Sequence, residues 1–510
     1  MKKVIALVLV VAALVLCFAG CGQKTNTPAG TTTATKLVVG VAAEPTTLDP
    51  GANGFSGANE PVQSALFCNL VDWDSDAQTV IPALAESWEW LNENTCRFYL
   101  NKNAVSQKGT PITAHDVKWC YERIYNNPAI ANSISNFDMS KTTVVDDYTV
   151  DLYLPRCNYN ALSALTLYVC SIVSQKDFEE IGEEAFARNP VATGPYTLGE
   201  WKTGESIVIN KVASYWGGES YYDSIVFKPI PDTNARILAL QSGDIDFAEA
   251  LGSASIPTLQ GDSNIEVIET NVNQTQTLWF NCDDGPLADQ RVRYALEYAI
   301  DKEAVGKTVF MGYGHAADSI FNSESDQYRA PKDPRTYNPE KAKELLAEAG
   351  YADGFTINLA CYESTDFANL LQSVAYYWEQ IGVIANIQVM EKGSFFGLIY
   401  SDDFDIYCIH QVGTDPMVRV ASLSRDIPRS GGNQTKLWNE RVDELRVLIN
   451  AEQDSAKANE MYKEMADILY EECHFIHIWE SKYISGAKPG ITNIKADSIS
   501  NFQYDMFKGA

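Results

Sequence analysis

The chain has 510 residues, of which 45% are hydrophobic, so large globular cores are possible. Its 67 acidic and 39 basic residues give a formal net charge of -28. This charge argues against a nucleic-acid partner, because phosphate binding requires clustered Lys and Arg. We expect this charge to form an acidic, solvated surface. The alternative is that the electrostatic field of the negative charge steers cationic ligands towards the protein.

The N-terminus has the pattern of an export signal. Two lysines precede the apolar run Val4–Ala19, and small residues then lead directly to Cys21. This ending resembles the lipobox of bacterial lipoproteins, in which the cysteine is acylated and becomes the new N-terminus. We predict a signal peptide over residues 1–20, lipid attachment at Cys21 and a flexible tether over residues 21–36. An uncleaved membrane anchor is the alternative.

Nine further cysteines follow the predicted lipid site. They include no C-x-x-C motif, and an odd number cannot all pair. We therefore expect mostly buried free thiols that act as small hydrophobic side chains, with disulfides as the alternative. The nine are Cys68, Cys96, Cys120, Cys157, Cys170, Cys282, Cys361, Cys408 and Cys473.

The stretch from Asn189 to Phe247 alternates strands, turns and one helix. The β-branched runs Ser206–Lys211 and Ser224–Ile230 are bounded by Gly, Pro and Asp, which predicts buried strands. The apolar spacing then becomes helical. We predict a helix that is capped near Asp232 and ends at Gly243.

Elsewhere, three stretches allow specific structural expectations. Pro82–Trp90 is expected to be helix or turn, and the runs Ile265–Thr270 and Thr275–Asn281 are expected to be two strands around a polar NVNQ segment. Helical spacing in the following segment, Pro286–Val305, places Arg291, Arg293 and Glu297 on the outward face.

Several motifs, in this order and spacing, resemble the extracellular solute-binding proteins that serve ABC importers of peptides and nickel. The matches are GTPITAHDVKWCYER at Gly109–Arg123, TGPY at Thr193–Tyr196, YW at Tyr215 and Trp216, ARILALQSGDIDF at Ala235–Phe247, TQTLWFN at Thr275–Asn281, and PLADQRVRYALEYAIDKEAV at Pro286–Val305.

The resemblance implies a mixed α/β fold of the type II, cluster C-like periplasmic-binding-protein kind, with two lobes and an extra N-terminal subdomain. Lobe I is predicted to comprise residues 37–272 and 481–510, with the subdomain inserted at about 58–180, and lobe II residues 273–480. The chain is expected to cross between the lobes near Asn273 and again near Tyr483.

In peptide-binding relatives, the ligand lies like an added strand between the lobes, its amino group on a carboxylate and its carboxylate on a basic side chain. The matching place here is Cys408–Pro416. Asp415 either anchors an amine or caps the turn, and Arg419, Arg425 or Arg429 could hold a ligand carboxylate. The predicted ligand-binding residues are Glu44, Trp279, Asn281, His410, Gln411, Val412, Asp415 and Arg419.

Two other kinds of site are not favoured by the sequence. If the segment containing Cys473, His474 and His477 is a strand, its side chains alternate, so three ligands cannot converge on a metal. Glycines near Lys307 and Tyr313 imitate nucleotide-binding loops but lack the strand that should precede them. We therefore predict no metal site and no cofactor.

The predicted function is that of a lipid-anchored substrate-binding component of an ABC importer, which binds dipeptides or oligopeptides and is not an enzyme. Its expected partners are the peptide or other small ligand, the ABC permease with its ATPase subunits, and the membrane through the lipid; we expect a monomer at the extracytoplasmic face of a bacterial membrane. The alternatives are the same fold binding a nickel chelate, haem or an oligosaccharide, or an extracellular hydrolase.

Overall fold

The computed structural model describes residues 35–52, 57–74, 79–400, 404–412, 416–421, 423, 435–491, 494–496 and 502–503. Its strands are β1 (Lys36–Val41), β2 (Val71–Asp74), β3 (Thr79–Pro82), β4 (Ala85–Asn92), β5 (Thr95–Leu100), β6 (Thr143–Asp146), β7 (Thr149–Tyr153), β8 (Tyr196–Lys202), β9 (Ser206–Lys211), β10 (Ser224–Pro229), β11 (Phe247–Ala248), β12 (Glu266–Phe280), β13 (His315–Ala316), β14 (Phe355–Tyr362), β15 (Val383–Met390), β16 (Ile406–Val412), β17 (Phe475–Ala487), β18 (Lys495–Ala496) and β19 (Phe502–Gln503).

The helices are α1 (Glu60–Leu66), α2 (Ala114–Tyr125), α3 (Gln175–Ile181), α4 (Glu183–Phe186), α5 (Thr233–Ser242), α6 (Ile256–Gln260), α7 (Gln290–Tyr298), α8 (Lys302–Val309), α9 (Pro339–Glu348), α10 (Thr365–Glu379), α11 (Lys392–Tyr400), α12 (Pro416–Ala421), α13 (Glu440–Ala451) and α14 (Ser455–Glu472). Short 3-10 segments lie at Ala131–Ile134, Tyr159–Thr166, Tyr168–Cys170, Ser253–Ser255 and Pro286–Ala288.

An 11-stranded sheet runs through the whole fold in the order β15-β14-β16-β12-β17-β11-β1-β10-β9-β8, with β13 attached to β17. Strand β1 is parallel to β10 and β11, and β14 is parallel to β15 and β16. The two central strands, β12 and β17, are antiparallel to each other. The sheet is therefore mixed, with a parallel group on each side of one antiparallel pair.

Strands β12 and β17 join the two parts of the sheet. Their pairing runs from Glu266 opposite Ala487 to Trp279 opposite Phe475, and the register shifts between Asn271 and Thr275. The expectation of two strands here was wrong, because the backbone continues through the polar segment as one strand with an irregular register. Such a bulge inserts residues without ending the pairing on either side.

The hydrophobic core divides along the same line. One cluster contains Leu37, Phe227 and Ala487, whereas another contains Leu278 and Ile476. Strand β17 therefore contributes its first residues to one cluster and its last residue to the other. The two groups of packed side chains are connected by the paired strands rather than by one continuous interior.

The subdomain packs helix α2 against a separate sheet of order β4-β5-β7-β6. Thr113 and Asp116 form the capping box that starts α2. The expectation of helix or turn at Pro82–Trp90 was wrong, because Trp88 and Trp90 alternate along β4 and lie opposite Phe98 and Cys96 of β5.

Two charged residues of α7 were wrongly expected to face solvent. Arg293 is 3% exposed and donates to the carbonyls of Glu472 and Cys473 at the end of α14. Glu297 is 2% exposed and accepts from Lys302 and Arg335. Both buried charges are stabilised by partners outside α7, which helical spacing alone does not reveal.

The nine cysteines named above are free thiols in the described part of the chain. Eight are buried, and Cys157 is half-buried. Burial raises the pKa of Cys68 and Cys120 to about 12, so these thiols stay protonated and unreactive at neutral pH. The expectation of buried free thiols is confirmed.

The glycines that imitate nucleotide-binding loops have a packing role. A Cβ on Gly306 would lie 2.0 Å from the Trp479 ring, and one on Gly314 would lie 2.0 Å from the Glu480 carbonyl oxygen. The absence of a side chain at these two positions lets α8 and β13 approach β17 closely.

Candidate functional site

The parallel strands β1 and β10 have their C-terminal ends on the same side of the sheet, the side where ligands of open α/β folds commonly bind. Glu44 follows the C-terminal end of β1. Its carboxylate accepts from the Trp201 indole and from the backbone of Gly204, at 2.9 Å for the latter. Glu44 therefore connects the segment after β1 to the end of β8 and the β8–β9 turn.

Trp279 lies in the interior of the C-terminal part. It is 4% exposed, and its ring stacks on Tyr407 with centroids 5.7 Å apart and meets Phe475 edge to face at 4.5 Å. Its indole nitrogen is buried with no hydrogen-bond partner among the described residues. The ring is therefore held by its packing against Tyr407 and Phe475.

His410 and Gln411 lie at the end of β16 beside β12. The His410 ring packs edge to face on Phe367 with centroids 4.4 Å apart, and it contacts Gln274. Gln411 is 6% exposed and donates from its amide nitrogen to the carbonyl of Arg419 at 3.3 Å. Adjacent residues on this strand thus point to opposite faces of the sheet.

Arg419 lies on α12 and is 3% exposed. Its Nη1 donates to the carbonyl of Ile320 at 2.8 Å. Burial lowers the pKa of Arg419 to about 10, while the nearby Glu480 opposes this shift. A guanidinium at this depth remains charged at neutral pH and fixes α12 against the chain around Ile320.

The remaining predicted residues lie apart from this group. Asn281 donates from its side chain to the carbonyl of Phe404 at 3.1 Å, at the far end of the β12–β16 pair. Val412 is paired with Gln274 at the near end. The structure therefore brings Gln411 and Arg419 together, places the His410 ring on the opposite face of the sheet, and leaves Glu44 and Asn281 elsewhere. Cys21, Asp415, Arg425 and Arg429 lie outside the described residues.

Sequence reasoning missed a buried polar group beside the paired strands. Glu480 is 3% exposed and lies opposite Thr275; it accepts from the Ser323 backbone at 3.0 Å, and His315 Nε2 lies 2.9 Å from it. Burial raises the pKa of Glu480, and His315 and Ser323 oppose the shift. The group assembles from distant segments, so no local motif indicates it.

The two parts of the fold also meet away from the paired strands. A pocket of about 260 Å³ lies between the subdomain and the start of α12. Close by in the chain, the Cys157 thiol lies 4.0 Å from the carbonyl oxygen of Asn450. The pocket lining is aromatic on the subdomain side and includes Trp73, Trp88, Trp90, Tyr159, Asn160 and Pro416.

The Cys–His segment near residue 475 does not form a metal centre among the described residues. His474 lies 2.7 Å from Glu472 through Nε2, whereas His477 lies 3.0 Å from the Thr277 hydroxyl through Nδ1. Burial lowers the pKa of His477 to about 3, so this ring is neutral. The two imidazole rings therefore have different hydrogen-bond partners and do not converge on a common point.

The architecture is that of the type II periplasmic binding proteins, with two lobes and an extra N-terminal subdomain. The chain belongs to the bacterial extracellular solute-binding proteins, family 5, whose model for the middle region matches residues 79–424. It is therefore a solute-binding protein of an ABC importer and not an enzyme, as the sequence predicts.

The comparisons with individual proteins extend over most of the chain. Glutathione-binding protein GsiB of Salmonella typhimurium is 27% identical over 485 residues, covering 92% of this chain and 93% of that protein. The dipeptide-binding protein of Escherichia coli K12 is 26% identical over 471 residues, covering 86% and 88%. NikA from Brucella suis in complex with Fe(III)-EDTA superposes with a TM-score of 0.82 at 24% identity, covering 92% and 99%.

The family is extracellular, and its members work outside the cytoplasmic membrane. Among the described residues, none of the helices combines the length and apolar character needed to cross a bilayer.

Proposed function

We propose that this protein is a lipid-anchored receptor that closes on a dipeptide or oligopeptide between two lobes and delivers it to an ABC permease. Lobe I would comprise residues 37–272 and 481–510, with the subdomain at about 58–180, and lobe II residues 273–480. The observation that carries the proposal is the pairing of β12 with β17, which connects two separately packed groups of side chains.

Closure follows from where the ligand binds. A ligand that contacts both lobes binds the closed state more tightly than the open one and shifts the population towards it. The names of the relatives, glutathione-binding and dipeptide-binding protein, favour short peptides as the ligand of this chain. At micromolar affinity, binding would supply about 8 kcal/mol to favour the closed state.

The ligand assignment is tested by thermal-shift measurements with purified protein and a panel of di- to octapeptides, glutathione included. A bound peptide raises the melting temperature in proportion to the logarithm of its concentration. Nickel chelates, haem and oligosaccharides are measured in parallel, since a structural neighbour holds Fe(III)-EDTA. A shift with one of these and none with peptides would replace the peptide by that ligand.

The lipid anchor rests on Cys21 and is tested separately. We expect intact-mass measurement of protein from the bacterial membrane to show an N-terminus at Cys21 with added acyl mass. The C21A variant should leave the membrane fraction or retain its signal sequence. Unmodified Cys21 in membrane-bound protein would support the uncleaved anchor instead.

A further inference from the structure

We propose that Glu249 anchors a cationic group of the ligand, namely an ammonium carried by a peptide N-terminus or by a lysine side chain. The inference rests on the proposed function, because it assigns one subsite in the same binding cleft. The inference starts from the buried side-chain carboxyl group of Glu249, which lies where the parallel strands have their C-terminal ends.

Glu249 continues the chain directly after β11. Its backbone N–H donates to the carbonyl of Gly40 at 3.1 Å, and that of Leu251 donates to Ile484 at 2.9 Å, so the segment still lies between β1 and β17. The alternation of an extended chain places Glu249 on the face of Phe247, in a row with Val41 and Ser485.

One oxygen of the Glu249 carboxyl group is buried without a hydrogen bond from the described residues. Glu249 is 7% exposed, and its Oε1 is fully buried with no hydrogen-bond partner among the described residues. The hydroxyl of Ser485 in the same row is also buried and unpartnered in the described structure. Because buried polar groups are normally hydrogen-bonded, two such groups in one row indicate a place for a polar guest.

The nearest cation does not neutralise Glu249, because its donors are used elsewhere. Arg236 donates through Nε to the main-chain carbonyl of Glu249 at 3.2 Å and through Nη2 to that of Ala250 at 2.8 Å. Its Nη1 donates to the carbonyl of Ile230 at 2.6 Å. Arg236 is therefore a positioning residue that holds the backbone and leaves the carboxyl group of Glu249 to a ligand.

The backbone next to Glu249 is constrained. Ala250 has φ of 51°, in the left-handed region that residues other than glycine rarely adopt, and Gly252 follows with φ of 71°. Strain of this kind persists where the surrounding structure imposes it, and it is common at ligand sites. Together with the Arg236 clamp, it fixes the position from which the Glu249 side chain extends.

An ammonium fits this subsite better than an anion or a neutral group. Burial raises the pKa of Glu249 to about 8, with Arg236 opposing the shift, so the Glu249 carboxyl group holds a proton at neutral pH when no cation is bound. Val41 of β1 and Ser485 of β17 flank Glu249 in the same row, and Arg236 is the charged group that acts on it. A docked ammonium favours the carboxylate, so the proton leaves for solvent when the cation arrives.

The test compares wild-type protein with E249Q, which keeps the shape and removes the charge. Calorimetric titration uses trialanine against its Nα-acetylated form, and Ala-Lys-Ala against the same peptide with norleucine. We expect wild type to prefer at least one cationic member by about tenfold or more and E249Q to reduce that preference below about twofold. The pair that shows the effect identifies the source of the ammonium.

Two variants and one further readout separate anchoring from packing. S485A should weaken both members of a pair equally, and E200Q, at an exposed carboxylate of β8, should behave as wild type. At pH 7, binding of the cationic peptide to wild type should release close to one proton, seen as a dependence of the binding heat on the buffer's ionisation heat; E249Q should release none.

The inference and the proposed function can fail separately. If wild type binds peptides but E249Q keeps the same cation preference, the anchor is wrong while the peptide receptor stands. If no peptide binds, the receptor proposal fails. In that case, the rise in melting temperature with putrescine and arginine, compared with their neutral analogues, tests whether Glu249 binds a cation. Equal rises for wild type and E249Q overturn the inference.

Discussion

At the scale of single residues, two buried carboxyl groups behave oppositely because their surroundings differ. Burial would raise the pKa of Glu297, but Lys302 and Arg335 lower it overall. Glu249 lacks such partners, and its pKa rises. The first group is a structural ion cluster, and the second is the kind of uncompensated group that a ligand can satisfy.

Replacing Glu297 by Gln should destabilise the fold by about 3–5 kcal/mol, because two cations remain buried without their carboxylate. Urea unfolding measures the change. As a control, E344Q removes a surface partner 3.3 Å from Lys341 and should cost less than about 0.5 kcal/mol. Equal costs for both variants would show that the buried cluster adds nothing beyond a surface pair.

The lowered pKa of Glu297 also fixes a pH window. A carboxyl group with a folded pKa below its ordinary value stabilises the protein above that ordinary value, and this contribution disappears as the pH falls through the folded pKa. We expect wild-type stability to fall more steeply than that of E297Q below about pH 4.5. Denaturation curves recorded between pH 3 and 7 check the slope.

Glu249 should give the opposite dependence in ligand-free protein. Its raised pKa means that the folded state holds a proton that the unfolded state has lost between the ordinary value of 4.5 and about 8, so stability falls as the pH rises across this range. E249Q should remove a loss on the order of 4 kcal/mol at pH 8. Parallel pH profiles for the two proteins would contradict this.

At the scale of elements, local signals predicted more than non-local ones. Asp232 caps α5 by accepting from the Ala235 backbone at 2.7 Å, and Gly243 ends the helix with φ of 81°, both as the sequence predicts. These features depend on neighbours within a turn. The burial of Arg293 was not predictable in this way, because the Glu472 and Cys473 carbonyls that accept from it lie about 180 residues further along the chain.

The same distinction applies to the candidate site. The resemblance to the family makes Glu44 and the end of β16 candidates, but it does not reveal that Trp279, Glu480 and Glu249 are buried. Burial of a lone carboxyl group depends on which strands become neighbours in the sheet. The sequence of each strand is compatible with either an exposed or an interior acid.

The close packing of α8 against β17 can be tested at Gly306. A methyl group there would overlap the Trp479 ring, so G306A should cost about 1–3 kcal/mol despite alanine's better helix propensity. Gly397 in α11 has no neighbour within 4 Å of an added Cβ. G397A should therefore be neutral or stabilising by up to about 1 kcal/mol. Thermal unfolding compares the two variants.

At the scale of the whole molecule, the contact between Cys157 and Asn450 offers a direct test of closure. The N450C variant places a second thiol near Cys157, whose sulfur lies 4.0 Å from the Asn450 carbonyl oxygen. If the lobes close on a ligand as proposed, peptide should accelerate formation of a disulfide between Cys157 and the introduced thiol several-fold under mild oxidation. Gel mobility without reductant reports the cross-link.

Controls make the cross-linking result specific. N450S should not cross-link under the same conditions, because the other described cysteines are buried. Adding C157S to N450C should abolish the product. A rate that does not change with saturating peptide would mean that ligand leaves the separation of the lobes unaltered, which contradicts the closing receptor.

The interruption of the β12–β17 ladder between Asn271 and Thr275 has a mechanical consequence. The register shifts again between Gln276 and Thr277, so resistance to bending is lowest over the stretch from Asn271 to Thr277, and the regularly paired parts beyond it would turn as stiff arms. Substitutions there could change how readily the molecule shuts, and hence its apparent affinity, without touching a bound guest. Natural selection could in this way adjust the affinity of the protein to the concentration of its nutrient without changing which nutrient it binds.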